Sequence, residues 1–259
     1  MGILNITPDS FSDGGYYFDV AKAVQHGLKL EEEGADILDI GGESSRPGSN
    51  SISVEEEISR IEPVLKELKK IIKIPISIDT YKSQVAERVI QLGADMINDI
   101  SALRMDNNMA KLIAQSRVPV VLMHMKGIPQ NMQVNPHYDC LLDEIIAFLN
   151  ERIEWSINSG IDFENIIIDP GIGFGKTLNN NIEIIKYLDN FRSLGRPILI
   201  GTSRKSIIGN ILNLPPHERL EGTAATVVLS IMKGAHIVRV HDVKQMKRVA
   251  IVSDAIKAE

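Results

Sequence analysis

The sequence predicts a single (β/α)8 barrel, the TIM barrel of the α/β class, that spans residues 1–259. Three observations support this prediction. Eight short hydrophobic runs recur along the chain, with helix-like sequence between them. Almost all of these runs end in polar residues that are capable of chemistry. The length of 259 residues is typical of such a barrel and is large for most other single domains.

Each hydrophobic run is short enough to be one strand, and each intervening segment is long enough to hold a helix. The eight runs are residues 3–9, 37–42, 76–80, 96–99, 120–124, 166–170, 198–202 and 237–241. Parallel strands need long crossover connections of this kind. In a barrel of parallel strands the active site lies at the carboxyl ends, which is where the polar residues fall.

The connections between the strands support the same fold. Residues 54–72 and 141–157 place Leu, Ile and Val at helical spacing. A glycine comes shortly before the second, fourth, sixth and eighth strands, at Gly34, Gly93, Gly160 and Gly234. Glycine suits the left-handed residue that ends a helix because it has no Cβ. This weak repeat of two βα units favours a closed barrel over an open sheet.

Composition excludes several classes of function. The net charge is −6 and no basic run is present, which disfavours nucleic-acid binding. No apolar stretch approaches the roughly 20 residues that a membrane span needs, and no signal peptide is visible. The single cysteine, Cys140, excludes an internal disulfide. Together these features predict a cytoplasmic protein. The start close to the first strand leaves open whether the chain is a piece of a longer polypeptide.

Four connections that follow strands are long and rich in Gly, Pro, Asn and Ser. They are residues 6–18, 41–53, 125–137 and 170–178. Long loops in compact domains are usually functional or disordered. Because all four follow strands, they lie on the same face of the predicted barrel, and this face is the candidate active site.

Acidic and amide residues end several of the predicted strands. They are Asn5, Asp39, Asp79, Asn98, Asp99 and Asp169. Carboxylates that converge on one barrel mouth can bind a metal, act as general bases, or accept hydrogen bonds from the N–H groups of a polar heterocycle. The alternative is that some of them cap helices or form ion pairs within the barrel. This structural interpretation is strongest for Asp39 and Asp99.

Basic residues cluster in the second loop and around the last two strands. Arg46 lies in the second loop, Arg204 and Lys205 follow the seventh strand, and Arg239 and His241 end the eighth. A phosphate site is often found after strands seven and eight of these barrels. Arginine matches phosphate oxygens two at a time. Surface salt bridging is the alternative interpretation, and it is strongest for Arg204.

The run at residues 171–177 resembles the end of a nucleotide-binding P-loop. That motif needs a glycine five residues before its Gly-Lys pair, and this position is Pro170. The run is better interpreted as a glycine turn that lets the backbone and Phe174 approach a flat ligand.

Taken together, the strand-end motifs resemble those of the dihydropteroate synthases. The matching segments are residues 5–15, 41–48, 79–82, 98–100, 169–176, 203–206 and 239–242. They are spread along nearly the whole chain, from residue 5 to residue 242, and the first two are highly specific. One departure is visible, because Ser45 stands where many members of the family have threonine. The hydroxyl is kept, while the lost methyl group could alter packing near the amine substrate.

The resemblance implies an activity and a set of ligands. The family joins p-aminobenzoate to 6-hydroxymethyl-7,8-dihydropterin diphosphate in folate biosynthesis, releases pyrophosphate, and is the target of sulfonamides. It also implies Mg²⁺ as the cofactor and a homodimer as the assembly. A fused pterin pyrophosphokinase module before Met1 stays an open question.

The resemblance also implies roles for individual residues. Four would hold the pterin: Asp79, Asn98, Asp169 and Lys205. Two more would contact substrate: Phe174 and Ser206. Five would bind the diphosphate: Asn5, Ser45, Arg46, Arg239 and His241. Asn5 would also be the protein ligand of Mg²⁺. Phe11 and Asp13 lie on the first loop, and both this loop and the Arg46 loop are expected to order only over bound substrate, where they build the amine site and exclude water. Asp79, Lys205, Arg46 and Asn5 are the expected catalytic residues.

Two other functions are compatible with a pterin-binding barrel. A pterin-dependent methyltransferase domain uses a similar barrel but needs no diphosphate cradle. A non-catalytic pterin-binding subunit would be expected to lose loop residues first, yet Asn5, Phe11, Asp13 and Arg46 are all present. The residues expected to bind diphosphate and the presence of these loop residues both favour the synthase.

Overall fold

The computed structural model describes residues 1–7 and 20–258, and these residues form eight parallel strands and nine α-helices. The strands are β1 (Gly2–Asn5), β2 (Leu38–Gly41), β3 (Ile76–Asp79), β4 (Met96–Asp99), β5 (Val120–Met123), β6 (Ile166–Asp169), β7 (Leu199–Ile200) and β8 (Ile237–Val238). The helices are α1 (Val20–Glu32), α2 (Val54–Ile71), α3 (Ser83–Gln91), α4 (Met109–Ser116), α5 (Leu141–Asn158), α6 (Leu178–Lys186), α7 (Ser206–Leu212), α8 (Leu220–Met232) and α9 (Val243–Lys257).

The strands close into a barrel. β1 to β6 form a continuous parallel ladder in chain order, and β7 pairs with β8. The Ile168 amide donates to the Pro197 carbonyl at 3.0 Å and joins β6 to the start of β7. On the other side, the Ile3 amide donates to the Val240 carbonyl at 3.0 Å and joins β1 to the segment after β8. The predicted (β/α)8 barrel is therefore confirmed.

The local signals in the sequence set the helix ends. The predicted helices at 54–72 and 141–157 are α2 and α5, which end within one residue of those bounds. Ser53 caps α2, because its side chain accepts a hydrogen bond from the Glu56 amide at 3.1 Å. The glycines predicted to end helices have φ angles of +98°, +93°, +94° and +101° at Gly34, Gly93, Gly160 and Gly234. The predicted left-handed conformation is confirmed at all four.

Alternation along the strands separates an outer core from the barrel interior. Outward residues such as Leu4, Ile40 and Ile78 pack against the helices in the main hydrophobic core. Inward residues at the amino-terminal side form a smaller apolar floor of Met1, Met96, Val121, Ile167 and Leu199. On β4 and β6 the next inward residues toward the carboxyl ends are Asn98 and Asp169, whereas on β5 the next is Met123. The interior therefore becomes more polar toward the mouth on some of the strands, and the polar chemistry lies at those carboxyl ends.

In the described part of the chain, the helices are too short or too polar for any of them to span a bilayer.

Candidate active site

Strand register aligns the first group of polar residues. Asn5 is level with Gly41, Gly41 with Asp79, and Asp79 with Asn98 in the ladders of β1 to β4. Because residues at one level of a barrel share a layer, these side chains meet at the mouth. Asp39 is also inward, one layer deeper, since it is level with Ser77. The structure thus brings the polar ends of β1, β3 and β4 together.

Arg239 connects these residues across the interior. Its Nε donates to Asp39 Oδ2 at 2.6 Å, and its Nη2 donates to Asp79 Oδ2 at 3.0 Å. The Asn98 side-chain amide donates to the same Asp39 oxygen at 3.1 Å. Asp39 is fully buried, and buried carboxylates are normally paired or hydrogen-bonded in this way. Arg239 therefore uses two of its N–H groups to bind acids inside the barrel.

Asp79 has an unusual protonation equilibrium. Burial raises its pKa to about 7, although the neighbouring Arg239 favours the ionised form. The carboxylate of Asp39 adds to the increase in pKa. Asp79 thus changes charge close to neutral pH. It lies at the mouth of the barrel, at the end of β3. A carboxyl group with this property is a candidate for a catalytic role.

Asp99 stabilises the turn after β4 and does not face the mouth. It follows Asn98 directly, so it points to the opposite side of β4. Its carboxylate accepts hydrogen bonds from the Ser101 amide at 2.7 Å, the Ser101 hydroxyl at 2.6 Å and the Leu103 amide at 3.1 Å. Ala102 and Leu103 have positive φ angles of 54° and 63°, and these bonds hold that turn in place. Asp99 therefore has a structural role in this turn, although among the residues that the structure describes it neither caps a helix nor forms an ion pair in the barrel.

Asp169 and Lys205 form the opposite wall of the mouth. The Gly171 amide donates to Asp169 Oδ1 at 2.7 Å, which fixes the carboxylate. The Lys205 ammonium donates to the Ile172 carbonyl at 2.5 Å and lies 4.8 Å from the centre of the Phe174 ring. Burial lowers the pKa of Lys205 to about 8, and the Asp169 carboxylate limits this decrease. Lys205 is therefore a cation held next to an acid and an aromatic ring.

The glycine run after β6 is a tight turn rather than a P-loop. Gly171, Gly173 and Gly175 have φ angles of +74°, +83° and +65°. A Cβ atom at Gly171 would lie 2.0 Å from the His124 carbonyl oxygen, and one at Gly175 would lie 2.5 Å from the Lys126 carbonyl oxygen. The turn packs directly on the segment after β5. This close approach presents Phe174 and the Ile172 carbonyl to Lys205.

Sequence reasoning missed the part that Lys176 plays in this turn. Its buried ammonium donates to His124 Nδ1 at 2.9 Å and to the Phe174 carbonyl at 3.0 Å. Burial, with the Lys176 charge as the second cause, lowers the pKa of His124 to about 2, so the imidazole is a neutral acceptor. The pair ties the turn to the end of β5. Only the three-dimensional structure reveals this contact, because 52 residues separate the partners.

Basic side chains lie at the mouth near β7 and β8. A hydrogen bond of 3.0 Å joins His241 Nδ1 to the Ser203 hydroxyl. Burial and the charge of Arg239 are the main causes that lower the pKa of His241 to about 3, and Arg46 makes a smaller contribution. Arg46 therefore lies close enough for its charge to act on His241. It is exposed at the second loop, next to the half-buried Ser45.

The remaining predicted residues are placed as follows. Arg204 forms a two-point ion pair with Asp242, with N–O distances of 2.5 and 3.0 Å, as the salt-bridge interpretation expected. Ser206 is exposed at the first position of α7. Phe11 and Asp13 lie outside the described residues.

Asn5 and Asp79 supply oxygen atoms at the mouth that are relevant to metal binding. Within residues 1–7 and 20–258, no group of three or more His, Cys, Asp or Glu side chains is arranged to hold a metal ion. The Asn5 oxygen lies beside Gly41, 3.5 Å from where a Cβ atom would be. An Asp79 oxygen lies 3.8 Å from the same point. Gly41 thus leaves space between two oxygen atoms at the mouth.

Comparison with known proteins gives a consistent result. The family model described as "Pterin binding enzyme" matches residues 1–241. A dihydropteroate synthase from Clostridium beijerinckii is 51% identical over 257 residues, which covers 99% of this chain and 93% of the relative.

Solved structures with the same fold are also similar. A Yersinia pestis dihydropteroate synthase in a sulfonamide drug complex has a TM-score of 0.95 at 41% identity, covering 100% of this chain and 94% of that one. A Xanthomonas albilineans dihydropteroate synthase with 4-aminobenzoic acid has a TM-score of 0.93 at 45% identity, covering 100% and 92%.

We predict that Gly171→Ala destabilises the protein strongly. The alanine would combine a positive φ angle with a Cβ atom 2.0 Å from a backbone oxygen, so the backbone must move. We expect the free energy of unfolding, measured by urea titration, to fall by about 3 kcal/mol. Gly48→Ala is the matched control, because its φ angle is +79° but nothing lies within 4 Å of the added atom. Equal losses in the two variants would contradict the argument.

Proposed function

This chain belongs to the dihydropteroate synthase family of pterin-binding enzymes, and from that premise we propose how its barrel mouth performs the synthase reaction. In that reaction, p-aminobenzoate displaces the diphosphate of 6-hydroxymethyl-7,8-dihydropterin diphosphate and gives 7,8-dihydropteroate. We assign both substrates to this mouth. We also expect sulfonamides to compete there with p-aminobenzoate, an assignment that the sulfonamide complex of the Yersinia pestis relative supports.

The observation that carries this proposal is that the acids and the basic residues of the mouth come from different elements of the barrel. Asp79 and Asp169 end β3 and β6, and together they are called the acidic side of the mouth. Arg46 and His241 lie on the second loop and after β8, and together they are called its cationic side. A substrate with a donor-rich heterocycle at one end and a diphosphate at the other matches this arrangement. A methyltransferase would have no use for the cationic side.

We assign the heterocycle to the acidic side. Asp169 accepts hydrogen bonds from the 2-amino group and the adjacent ring N–H, since an ionised carboxylate accepts two such bonds in parallel. Asn98 and Lys205 bind the remaining polar edge of the ring, and Phe174 packs against it. Asp79 faces the ring. The pair of Lys176 and His124 holds the turn that places Phe174 and Asp169, although neither is assigned to contact the substrate.

The chemistry follows from the electron-rich ring. When the bond between the methylene carbon and the diphosphate oxygen breaks, the electron pair leaves with the diphosphate. The ring can share the positive charge that is left, so a dissociative path is favoured. The nitrogen of p-aminobenzoate then forms the new bond to carbon and loses a proton. Negative charge on Asp79 stabilises the cation, and positive charge around the diphosphate stabilises the leaving group.

The diphosphate is assigned to Ser45, Arg46, Arg239 and His241. Arg46 is exposed, so it can contact phosphate oxygens without losing a protein partner. Arg239 has five N–H groups, of which two are used by Asp39 and Asp79, so it can serve both the acids and the ligand. The Ser45 hydroxyl supplies a further donor.

We propose that Asn5 holds Mg²⁺ together with the diphosphate. One neutral protein oxygen fits Mg²⁺, which keeps several waters and is usually bound with substrate phosphates. The space beside Gly41, next to the oxygens of Asn5 and Asp79, is consistent with this ligand set. Bound in this way, the metal adds positive charge that stabilises the departing diphosphate.

The first loop and the assembly complete the proposal. Phe11 and Asp13 are assigned to the amine site, where closure of the loop would exclude water that could otherwise capture the cation. We propose that residues 1–259 form one catalytic domain and that two copies form a homodimer. The apolar face on α8 and α9 supports the dimer, because Leu229, Ile251, Val252 and Ile256 are 54%, 57%, 59% and 71% exposed.

The first prediction concerns turnover. With Mg²⁺ and the pterin diphosphate present, we expect pyrophosphate release that depends on p-aminobenzoate and yields 7,8-dihydropteroate. Asp79→Asn and Lys205→Met are each expected to lower kcat/KM by about 100-fold, because each removes a charge at the reacting ring. Asp36→Asn and Lys70→Met are controls at exposed ion pairs. Full activity in folded Asp79 and Lys205 variants would overturn the assigned roles.

The second prediction concerns pH. Below a pKa of about 7, Asp79 gains a proton and loses the charge that stabilises the cation, so kcat/KM falls as the pH decreases through 7. Above a pKa of about 8, Lys205 loses its charge, so kcat/KM also falls at high pH. We expect a maximum between these values. Asp79→Asn should abolish the acidic limb and keep the alkaline limb, and an unchanged profile would exclude Asp79 as its source.

The third prediction concerns the dimer. Val252→Glu places a charge in the apolar face on α8 and α9, and we expect it to convert dimer to monomer in sedimentation velocity at micromolar concentration. Ile71→Glu is the matched control, since Ile71 is 55% exposed at the end of α2, away from this face. A wild-type protein that sediments as a monomer would refute the dimer, and a dimeric Val252→Glu would refute the face.

A further inference from the structure

The second loop, residues 42–53, is shaped by the carboxylate of Glu43. One carboxylate oxygen accepts a hydrogen bond from the Tyr81 hydroxyl at 2.7 Å. The other accepts from the Ile52 amide at 3.2 Å and from the Lys82 ammonium. Glu43 lies at the start of the loop and Ile52 near its end, so a single carboxylate links both ends. Ser45 and Arg46 lie between these two points.

Lys82 is the cation that completes this arrangement. Its ammonium donates to Glu43, to the Ile52 carbonyl at 2.8 Å and to Glu57 Oε2 at 2.7 Å. An ammonium group has three N–H donors, so all of them are used. The side chains of Lys82, Glu43 and Glu57 are 13%, 12% and 1% exposed. The cluster is therefore largely withdrawn from water and its geometry is closely defined.

The tip of the loop is a turn held mainly by its own backbone. The Ser49 amide donates to the Arg46 carbonyl at 3.0 Å, and the Ser49 hydroxyl donates to the Ser44 carbonyl at 2.5 Å. The Gly48 amide donates to the Pro129 carbonyl at 3.0 Å, which ties the turn to another loop. Arg46 is exposed at this turn. Glu43 and Lys82 fix the base from which the turn, and with it Arg46, projects.

A buried ionic cluster is a poor way to gain stability. Taking charges out of water costs about as much as their attraction returns, and apolar side chains of similar size often stabilise a fold better. Burial raises the pKa of Glu57, and the Lys82 charge opposes that increase. The property that such a cluster supplies well is a defined geometry. Here that geometry is shared by the second loop and the segment that follows Asp79.

We propose that Lys82 is a positioning residue that sets the second loop so that Arg46 meets the diphosphate. Lys82 follows Asp79 by three residues. The cluster therefore connects the arginine of the cationic side to the strand that carries the acid beside the pterin. This inference rests on the proposed role of Arg46, and it adds Lys82, Glu43 and Glu57 to the residues on which diphosphate binding depends.

The test compares two ligands, the pterin diphosphate and the same pterin without its diphosphate, each titrated calorimetrically with Mg²⁺ present. For Lys82→Met we expect binding of the diphosphate ligand to weaken about tenfold, which is about 1.4 kcal/mol. We expect binding of the pterin alone to stay within about twofold, because the pterin residues are not moved. Lys82→Arg should restore part of the loss. Lys70→Met is the control, since Lys70 pairs with Glu67 on the exposed side of α2.

Arg46→Ala separates this inference from the proposed function. If Arg46→Ala leaves diphosphate binding unchanged, the role of Arg46 fails. If Arg46→Ala weakens binding but Lys82→Met does not, the inference about Lys82 fails. If Lys82 acts through Arg46, the double variant binds the diphosphate no more weakly than Arg46→Ala alone. Additive losses would overturn the inference.

A second variant covers the case in which Lys82→Met does not fold because it leaves Glu57 unpaired. Glu43→Gln keeps the shape of the side chain, removes its charge and replaces one of its two acceptor oxygens by an NH2 group. We expect it to give the same selective loss for the diphosphate ligand at a smaller magnitude. Equal weakening of both ligands, or of neither, would contradict the proposal.

Discussion

The charge of Arg239 is the constraint on which the arrangement of the mouth depends. Its guanidinium lies between Asp39 and Asp79, at 2.6 and 3.0 Å, inside a barrel whose floor is apolar. Two buried carboxylates without a cation between them could not both ionise, because desolvation and mutual repulsion favour protonation. Removing one member of such a set leaves an uncompensated buried charge. Arg239 therefore lets the fold keep acids at this depth.

The same interaction explains why Asp79 titrates near neutral pH. Burial favours the protonated form and Arg239 favours the ionised form, and the balance gives a pKa of about 7. A surface carboxylate would stay ionised but would be screened by water. An isolated buried carboxylate would stay neutral and could not stabilise a cation. Because its pKa is intermediate, Asp79 can carry a negative charge in a poorly solvated site. There the effect of that charge on a developing cation is large.

The sequence was sufficient for the fold and for the grouping of residues, but it did not reveal the contacts between them. Hydrophobic periodicity located the strands, and alternation distinguishes the inward Asn98 from the outward Asp99 once the strand is known. Arg239 was expected on the diphosphate alone, yet its partners Asp39 and Asp79 are distant in sequence by 200 and 160 residues. The bond between Lys176 and His124 was missed for the same reason. Pairings across a barrel depend on shear and side-chain length, which no local pattern encodes.

Asp79 and Asp169 differ from Arg46 in how they are held, and the difference suits the proposed reaction. Asp79 and Asp169 stand at the ends of strands, where the ladder fixes the backbone. Arg46 lies on a loop and is exposed. An acid that stabilises a short-lived cation must already be in place, because reorganisation during the reaction would reduce its effect. In the proposed reaction Arg46 binds the diphosphate and must later release pyrophosphate, and its exposed position suits that release. Rigid strand ends for the acids and an anchored but exposed loop for the arginine meet both demands.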